Sequence, residues 1–131
     1  MTKGKIVLVP FPFDDLTAEK VRPALCLTDP IGPHRHLIVA FLSSQIPTSV
    51  SATDIVLDSP QKDFAATGLR APSVLRLHRL VTLTSALIRR ELGQLSPRLQ
   101  RDVDRKLAAL FGLKAYREIK WFLTPFAWSV V

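Results

Sequence analysis

Four side chains in this sequence combine charge, hydrogen bonding and proton exchange: Arg22, Ser43, Arg76 and His78. A guanidinium stays protonated and clamps anionic oxygens. A hydroxyl both donates and accepts hydrogen bonds. An imidazole, with an ordinary pKa of about 6.5, takes or gives a proton at neutral pH. Arg22 stands at the junction of a charged loop and Pro23, immediately before a predicted strand, and Ser43, Ser44 and Gln45 follow the end of another. Arg76 and His78 are two apart, a spacing that puts both on the same face of an extended chain. Polar groups gathered at strand ends make a site that the scaffold holds rigidly. Plainer roles stay open for each: Arg22 as the ion-pair partner of Asp14 or Glu19, Ser43 as a turn cap, His78 as a partly buried structural residue.

Other chemistries are poorly served. His34 and His36 lie in a Pro/Gly loop with no cysteine or third histidine spaced for a tetrahedral metal site, so neither a metal nor another cofactor is expected. The glycines are isolated, with no Gly-rich phosphate loop and no G-x-S-x-G elbow among them. One cysteine, Cys26, cannot form an internal disulfide and fits a reducing cytoplasm. The apolar start, MTKGKIVLVPFPF, looks like a signal peptide but is interrupted by Pro10, Pro12, Asp14 and Asp15. No apolar run reaches the ~18–20 residues that span a bilayer.

The elements that must position the site read mainly as β. Short apolar runs at Ile6–Val9, Ala24–Thr28, Leu37–Leu42, Thr53–Leu57 and Ser73–Leu77, with Leu80–Leu83 close behind, are separated by Pro, Gly or Asp breaks. That pattern predicts a small antiparallel barrel or sandwich. One helix follows: Ser96 is a natural N-cap, Pro97 takes the first helical position, and Leu99, Val103, Leu107, Leu110 and Phe111 recur at helical spacing before Gly112. Arg98, Arg101, Arg105 and Lys106 fall off that apolar stripe and are expected to face solvent.

Length suits one domain, and 47% hydrophobic against 22% charged residues is the balance of a folded chain, not a disordered one. The net charge of +7 is unevenly spread. Residues 1–68 carry 6 basic and 7 acidic side chains, whereas residues 69–131 carry 12 and 4, so the second part alone sums to +8. Clustered cations of that kind suit a polyanionic partner, because binding phosphates releases counterions. Residues 114–131, KAYREIKWFLTPFAWSVV, form an aromatic extension holding both tryptophans and the tyrosine. Contact with a partner or a second copy is the first expectation for it, ahead of core packing.

Four stretches, in order and sensibly spaced over residues 4–113, resemble the PemK/MazF toxin family. GKIVLVPFPF at 4–13, a charged loop and VRPALCLTD at 21–29 are similar to the family's opening strand, flexible loop and R-P-A-L. IVAFLSSQI at 38–46 resembles its third-strand motif, in which a hydroxyl residue, usually threonine, follows the apolar run. GLRAPSVLRLHRLVTL at 68–83 is similar to its S-V-V-R-x-D-x-L-x-T segment, and LGQLSPRLQRDVDRKLAALFGL at 92–113 to its G-x-L-S turn and closing helix.

The resemblance implies an SH3-like barrel of the CcdB/MazF/PemK type with a C-terminal α-helix, a toxin domain over 1–113, a homodimer and a cognate antitoxin. It implies metal-independent cutting of single-stranded RNA at a short sequence, leaving a 2′,3′-cyclic phosphate and a 5′-hydroxyl. The family's catalytic positions fall on Arg22, Ser43, Arg76 and His78. Ser43 replaces threonine and keeps the hydroxyl; His78 replaces an acidic residue. RNA brings its own nucleophile, so arginines that steady the crowded phosphorus and a histidine that moves protons would suffice. RNA contacts are expected from Phe13, Lys20, Ser44 and Gln45 and from the Pro47–Ala52 segment. A noncatalytic RNA-binding module and a poison of DNA gyrase built on the same barrel stay open as alternatives.

Overall fold

The expected strands all form, and a further one joins them, in the computed structural model, which describes residues 1–11 and 20–113. The elements run β1 (Lys5–Pro10), β2 (Val21–Cys26), β3 (His36–Ser43), β4 (Asp54–Leu57), β5 (Ser73–Thr84), β6 (Arg90–Gln94) and α1 (Pro97–Leu110). One antiparallel sheet in the order β4-β5-β3-β2-β1-β6 curls into a half-barrel, and the helix closes it. Phe13, most of the charged loop and the 114–131 extension lie outside the described residues.

Both faces of the sheet are covered, which is why its strands read as unbroken apolar runs instead of alternating ones. Ile6, Leu25, Ala40, Leu42, Leu75 and Leu77 point inward with Leu99 and Val103 of α1. Their neighbours Val7, Val9, Ala24, Cys26, Leu37 and Val39 form a second buried cluster on the opposite face. The Cys26 thiol is pushed up to about 11, by burial first and then by the charge of Glu91, so it is held as an unreactive thiol.

Three elements differ from the sequence expectation. Ser73–Leu77 and Leu80–Leu83 are one strand, β5, of 12 residues. It pairs with β4 through its first part and with β3 along its length, and the register slips by three residues between Ala40↔Leu80 and Leu42↔Leu75. β6, with the sequence RELGQ, carries too few apolar residues to read as a strand and sits at the sheet edge against β1. β2 begins at Val21, so Arg22 is inside the strand and not before it.

The early start of β2 shapes the molecule. β2 pairs with β1 from Val21 onward, but with β3 only over Ala24–Cys26. β3 meanwhile runs on to Ser43 against β5. The two central strands therefore part at Ala24 and Phe41. Pro23, which has no N–H to give a ladder, is tolerated because it falls where that second partner is gone.

The helix is anchored at its start. The Ser96 hydroxyl accepts the Leu99 amide at 3.2 Å and donates to the Asp63 carboxylate, which also takes a two-pronged hold from Arg98 at 2.9 and 3.2 Å. Arg98, Arg101 and Arg105 are exposed as expected. Lys106 is not: it is half-buried, and its ammonium donates to the Asp54 carbonyl at 2.9 Å, tying α1 to β4.

Candidate active site

Where β2 and β3 part, alternate residues of the two strands line two cavities. On the outer face, a cavity of about 200 Å³ is bounded by Arg22 from β2, Ser43 from β3, and Arg76 and Arg79 from β5, with Phe11 and Phe41 as its aromatic wall. On the inner face, one of about 590 Å³ takes in Lys20, Arg22, Ser44, Arg70 and Arg90 over an apolar floor. Arg22 and Leu42 belong to both linings, so the cavities adjoin at the splay.

Arg22 is set by aromatic packing. Its guanidinium carbon stands 4.6 Å from the centre of the Phe11 ring, and Phe11 meets Phe41 edge to face at 4.9 Å. A cation over a ring face gains roughly 0.5–1 kcal/mol at such partly exposed positions, which helps hold the guanidinium in place. Phe11 closes β1's end and Phe41 ends the β2–β3 ladder, so the backbone itself fixes where the arginine stands.

Arg76 is set by a buried acid. It lies directly across from Asp54 in the β4–β5 ladder, and its Nε donates to the Asp54 carboxylate at 3.2 Å. That carboxylate is fully buried, whereas about a quarter of the arginine side chain, 28%, is exposed. Burial works to raise the Asp54 carboxyl. The Ser51 amide at 3.0 Å, the Ser51 hydroxyl and Arg76 outweigh it and hold the carboxyl below its usual range. Asp54 thus stays ionised and Arg76 is held with its remaining donors toward the cavity.

The Ser43 hydroxyl accepts the backbone N–H of Gln45 at 3.1 Å. It caps the turn after β3, and the O–H is left to donate outward into the cavity it lines.

The four expected catalytic residues do not all meet. Arg22, Ser43 and Arg76 line the smaller cavity; His78 does not. The two-residue spacing does put Arg76 and His78 on the face opposite the buried Leu75 and Leu77. But β5 slips register against β3 in just this stretch, and His78 is exposed, its Nδ1 3.1 Å from the Thr53 hydroxyl, which in turn is 3.0 Å from that of Ser51. Arg79 reaches the cavity in its stead. Of the expected RNA contacts, Lys20 and Ser44 line the larger cavity, Gln45 is exposed and lines neither, and Phe13 is outside the described residues. Arg70, Arg79 and Arg90 went unnoticed in the sequence beyond their share in the basic second half.

Among the described residues no cluster of three or more His, Cys, Asp or Glu could hold a metal ion, and no helix is long and apolar enough to cross a membrane. The smaller cavity collects three guanidiniums and a hydroxyl, with no carboxylate among the described residues of its lining. Such a lining binds an anionic, oxygen-rich centre and stabilises added negative charge on it.

The model of the PemK-like, MazF-like toxins of type II toxin–antitoxin systems matches residues 2–111. The chain belongs to that family. No sequence among curated proteins matches this one, but solved structures do. The Mycobacterium tuberculosis toxin MazF-mt6 superposes with a TM-score of 0.64 at 23% identity, over 85% of this chain and 99% of its own. An endoribonuclease from a mycobacterial species, in complex with its cognate antitoxin, gives 0.63 at 14% identity, over 88% and 98%. A further mycobacterial endoribonuclease gives 0.60 at 18%, over 88% and 94%. At these identities the likeness is one of fold, and it bears out the half-barrel with its closing helix.

Proposed function

We propose that this PemK/MazF-family toxin is an endoribonuclease that cuts single-stranded RNA without a metal, at a short sequence, and that a cognate antitoxin restrains it. The observation that carries the reading is the gathering of Arg22, Arg76, Arg79 and the Ser43 hydroxyl around one cavity. Three permanent cations supply the positive charge that a metal ion would otherwise bring to a phosphorus gaining a fifth oxygen. The family membership, and two structural neighbours that are endoribonucleases, support the same reading.

In this mechanism the RNA's own 2′-oxygen attacks the adjacent phosphorus as the bond from phosphorus to the 5′-oxygen breaks. The proton released by the 2′-hydroxyl is balanced by the one the departing 5′-oxygen takes up, with solvent as carrier. The products are a 2′,3′-cyclic phosphate and a 5′-hydroxyl, and no water is consumed. Arg22 and Arg76 clamp the non-bridging oxygens as charge builds on them, and Ser43 donates to one of these oxygens. His78, bonded to Thr53 outside the lining, serves this reading as a contact to the strand beside the cavity and not as the proton carrier. Lys20 and Ser44 contact the RNA from the adjoining cavity, and Gln45 and Phe13 add further contacts to it. A homodimer, with RNA along its groove, and a cytoplasmic location complete the proposal.

The decisive experiment incubates the protein with a long single-stranded RNA in EDTA, beside Arg22→Ala, and maps the new 5′ ends. Discrete 5′-hydroxyl ends that disappear with Arg22→Ala, by roughly a hundredfold or more in rate, are the expected result. RNA that is bound but stays intact would overturn the catalytic reading and leave a binding module.

A further inference from the structure

The larger, inner-face cavity is more than an extension of the reaction site. Lys20, Arg70 and Arg90 are exposed around it, and among the described residues no carboxylate pairs with any of the three. Among the described residues its lining contains no acidic side chain, while Ser44 and Ser73 contribute polar groups and Leu8, Leu69 and Leu92 an apolar floor. Its volume of about 590 Å³ falls in the ~300–1,000 Å³ range of sites that enclose a small organic ligand. Cations at the rim and hydrocarbon at the base match a ligand with an anionic edge and a flat, uncharged body.

The cavity is also built. Arg70 comes from the turn that follows a short 3₁₀ segment, Ala65–Thr67, and Arg90 opens β6. The two are brought together by a backbone contact that tolerates no side chain: a Cβ on Gly68 would lie 2.1 Å from the Leu92 carbonyl oxygen, and one on Gly93 2.2 Å from that of Ala66. Leu92 is the extra residue where β6 bulges against β1, Ile6 facing Gly93 and Val7 facing Glu91. The bulge turns the Leu92 carbonyl to the 3₁₀ segment and so fixes the spacing of the two arginine-bearing stretches.

We infer that this cavity is a nucleotide subsite of the RNA strand: Lys20, Arg70 and Arg90 hold a phosphodiester one step from the cut, and the base lies on the Leu8, Leu69 and Leu92 floor. Resting on the reading of Arg22 and Ser43 as the cutting site, it names what occupies the space beside them. Because Arg22 lines both cavities, a strand clamped at the phosphorus by Arg22 has its neighbouring nucleotide at the subsite's mouth. The subsite therefore binds substrate and selects the flanking base, and it takes no part in bond breaking.

The test compares wild type with Arg70→Ala/Arg90→Ala on a long single-stranded RNA, and on a minimal dinucleotide that carries the scissile phosphate alone. On the long RNA the variant should raise KM by roughly tenfold or more with little change in kcat. The salt slope of binding should fall by about 0.7, as expected for one phosphate no longer neutralised on a single strand. Cutting of the dinucleotide should be unchanged. A methylphosphonate placed one linkage from the cut, on the side the mapping reveals, should reproduce the loss in wild type and add nothing in the variant. Equal losses on both substrates, or none on either, would overturn the subsite. If wild type binds RNA without cutting it, the slope change in the variant still upholds the cavity while the catalytic reading falls. Retention of a phosphate-free acidic peptide, dependent on Arg70 and Arg90 in the absence of RNA binding, would reassign the cavity to a protein partner. Melting temperatures of the variant within a few degrees of wild type exclude a folding defect, and Arg70→Lys/Arg90→Lys should restore most of the slope.

Discussion

Asp54 is the residue on which the cavity's charge depends, although it is not part of the lining. An arginine side chain can sweep a wide arc, and Arg76 is held to one part of it by a buried carboxylate across the ladder. Asp54→Asn keeps the shape and removes the anion. It should cost about 1–3 kcal/mol in denaturant unfolding, short of the full value of a buried pair because Arg76 is partly solvated. Its effect on RNA cutting should appear in kcat, since a displaced Arg76 misses the transition-state oxygens. The same carboxylate gives a pH signature. Its folded pKa lies below the unfolded value of about 3.9, so the unfolded chain takes up the proton first. The stability it contributes is full above pH ~4 and is lost as pH falls through the folded value. Asp63 acts with the same sign, its carboxyl lowered to about 2 by Arg98 first and Ser96 second. Unfolding free energy should therefore decline from about pH 4 toward 2, and Asp54→Asn/Asp63→Asn should flatten that decline; an unchanged slope would separate these carboxylates from acid unfolding. His78 makes the opposite prediction for activity. Standing outside the cavity against Thr53, it should leave the pH–rate profile intact when changed to Ala, with at most a few-fold loss in kcat/KM. A neutral-range inflection that vanishes in His78→Ala would return the imidazole to proton transfer.

At the scale of elements, two glycines decide whether the inner cavity is assembled, and a serine how firmly the helix starts. Gly93→Ala drives a Cβ into the Ala66 carbonyl oxygen and the Thr67 backbone, neither of which can swing aside as a side-chain tip would. A cost of at least about 2 kcal/mol is expected, read as a lowered denaturant midpoint, and RNA affinity should drop with it as Arg70 and Arg90 part. Ser96→Ala should cost about 1 kcal/mol through the lost cap, without touching RNA affinity. The helix was legible because cap, proline and apolar spacing all agree over Ser96–Phe111, and the strands because burial on both faces wrote them as unbroken apolar runs. β6 was hidden by its polar composition, and the unity of β5 by the charged residues at its register slip. Arg22, Ser43 and Arg76 stood out as polar groups at strand ends. Arg70 and Arg90 could not, since they meet through a glycine-to-backbone contact that leaves no period in the sequence. Nor does two-residue spacing tell which of Arg76 and His78 leans into a cavity formed by three strands.

For the whole molecule, the +8 carried by residues 69–131 overstates what a polyanion meets. Arg98 is held by Asp63 at 2.9 Å and approached by Asp102, Arg105 pairs with Asp102, and Lys106 is engaged with a β4 carbonyl. Three of the helix's four cations are thus engaged within the protein, and among the described residues the cations that line the two cavities, at the parting of β2 and β3, make the coherent positive surface. Counterion release counts phosphates neutralised, not net charge, so the two regions should behave differently toward RNA. Arg101→Gln/Arg105→Gln removes two charges from the helix and should leave the slope of log K against log salt unchanged, as read by fluorescence anisotropy with a labelled single strand. Removing the same number from the cavity rim, in Arg70→Ala/Arg90→Ala, frees the one phosphate they hold and should flatten it by about 0.7. Equal changes in the two variants would mean that the protein attracts RNA by its overall field, and that binding is not confined to the splayed end of the sheet. A flat response in both would remove single-stranded RNA as the ligand of this basic surface. The contrast between the two variants, at matched net charge, is what ties the charge asymmetry of the sequence to the splay between β2 and β3.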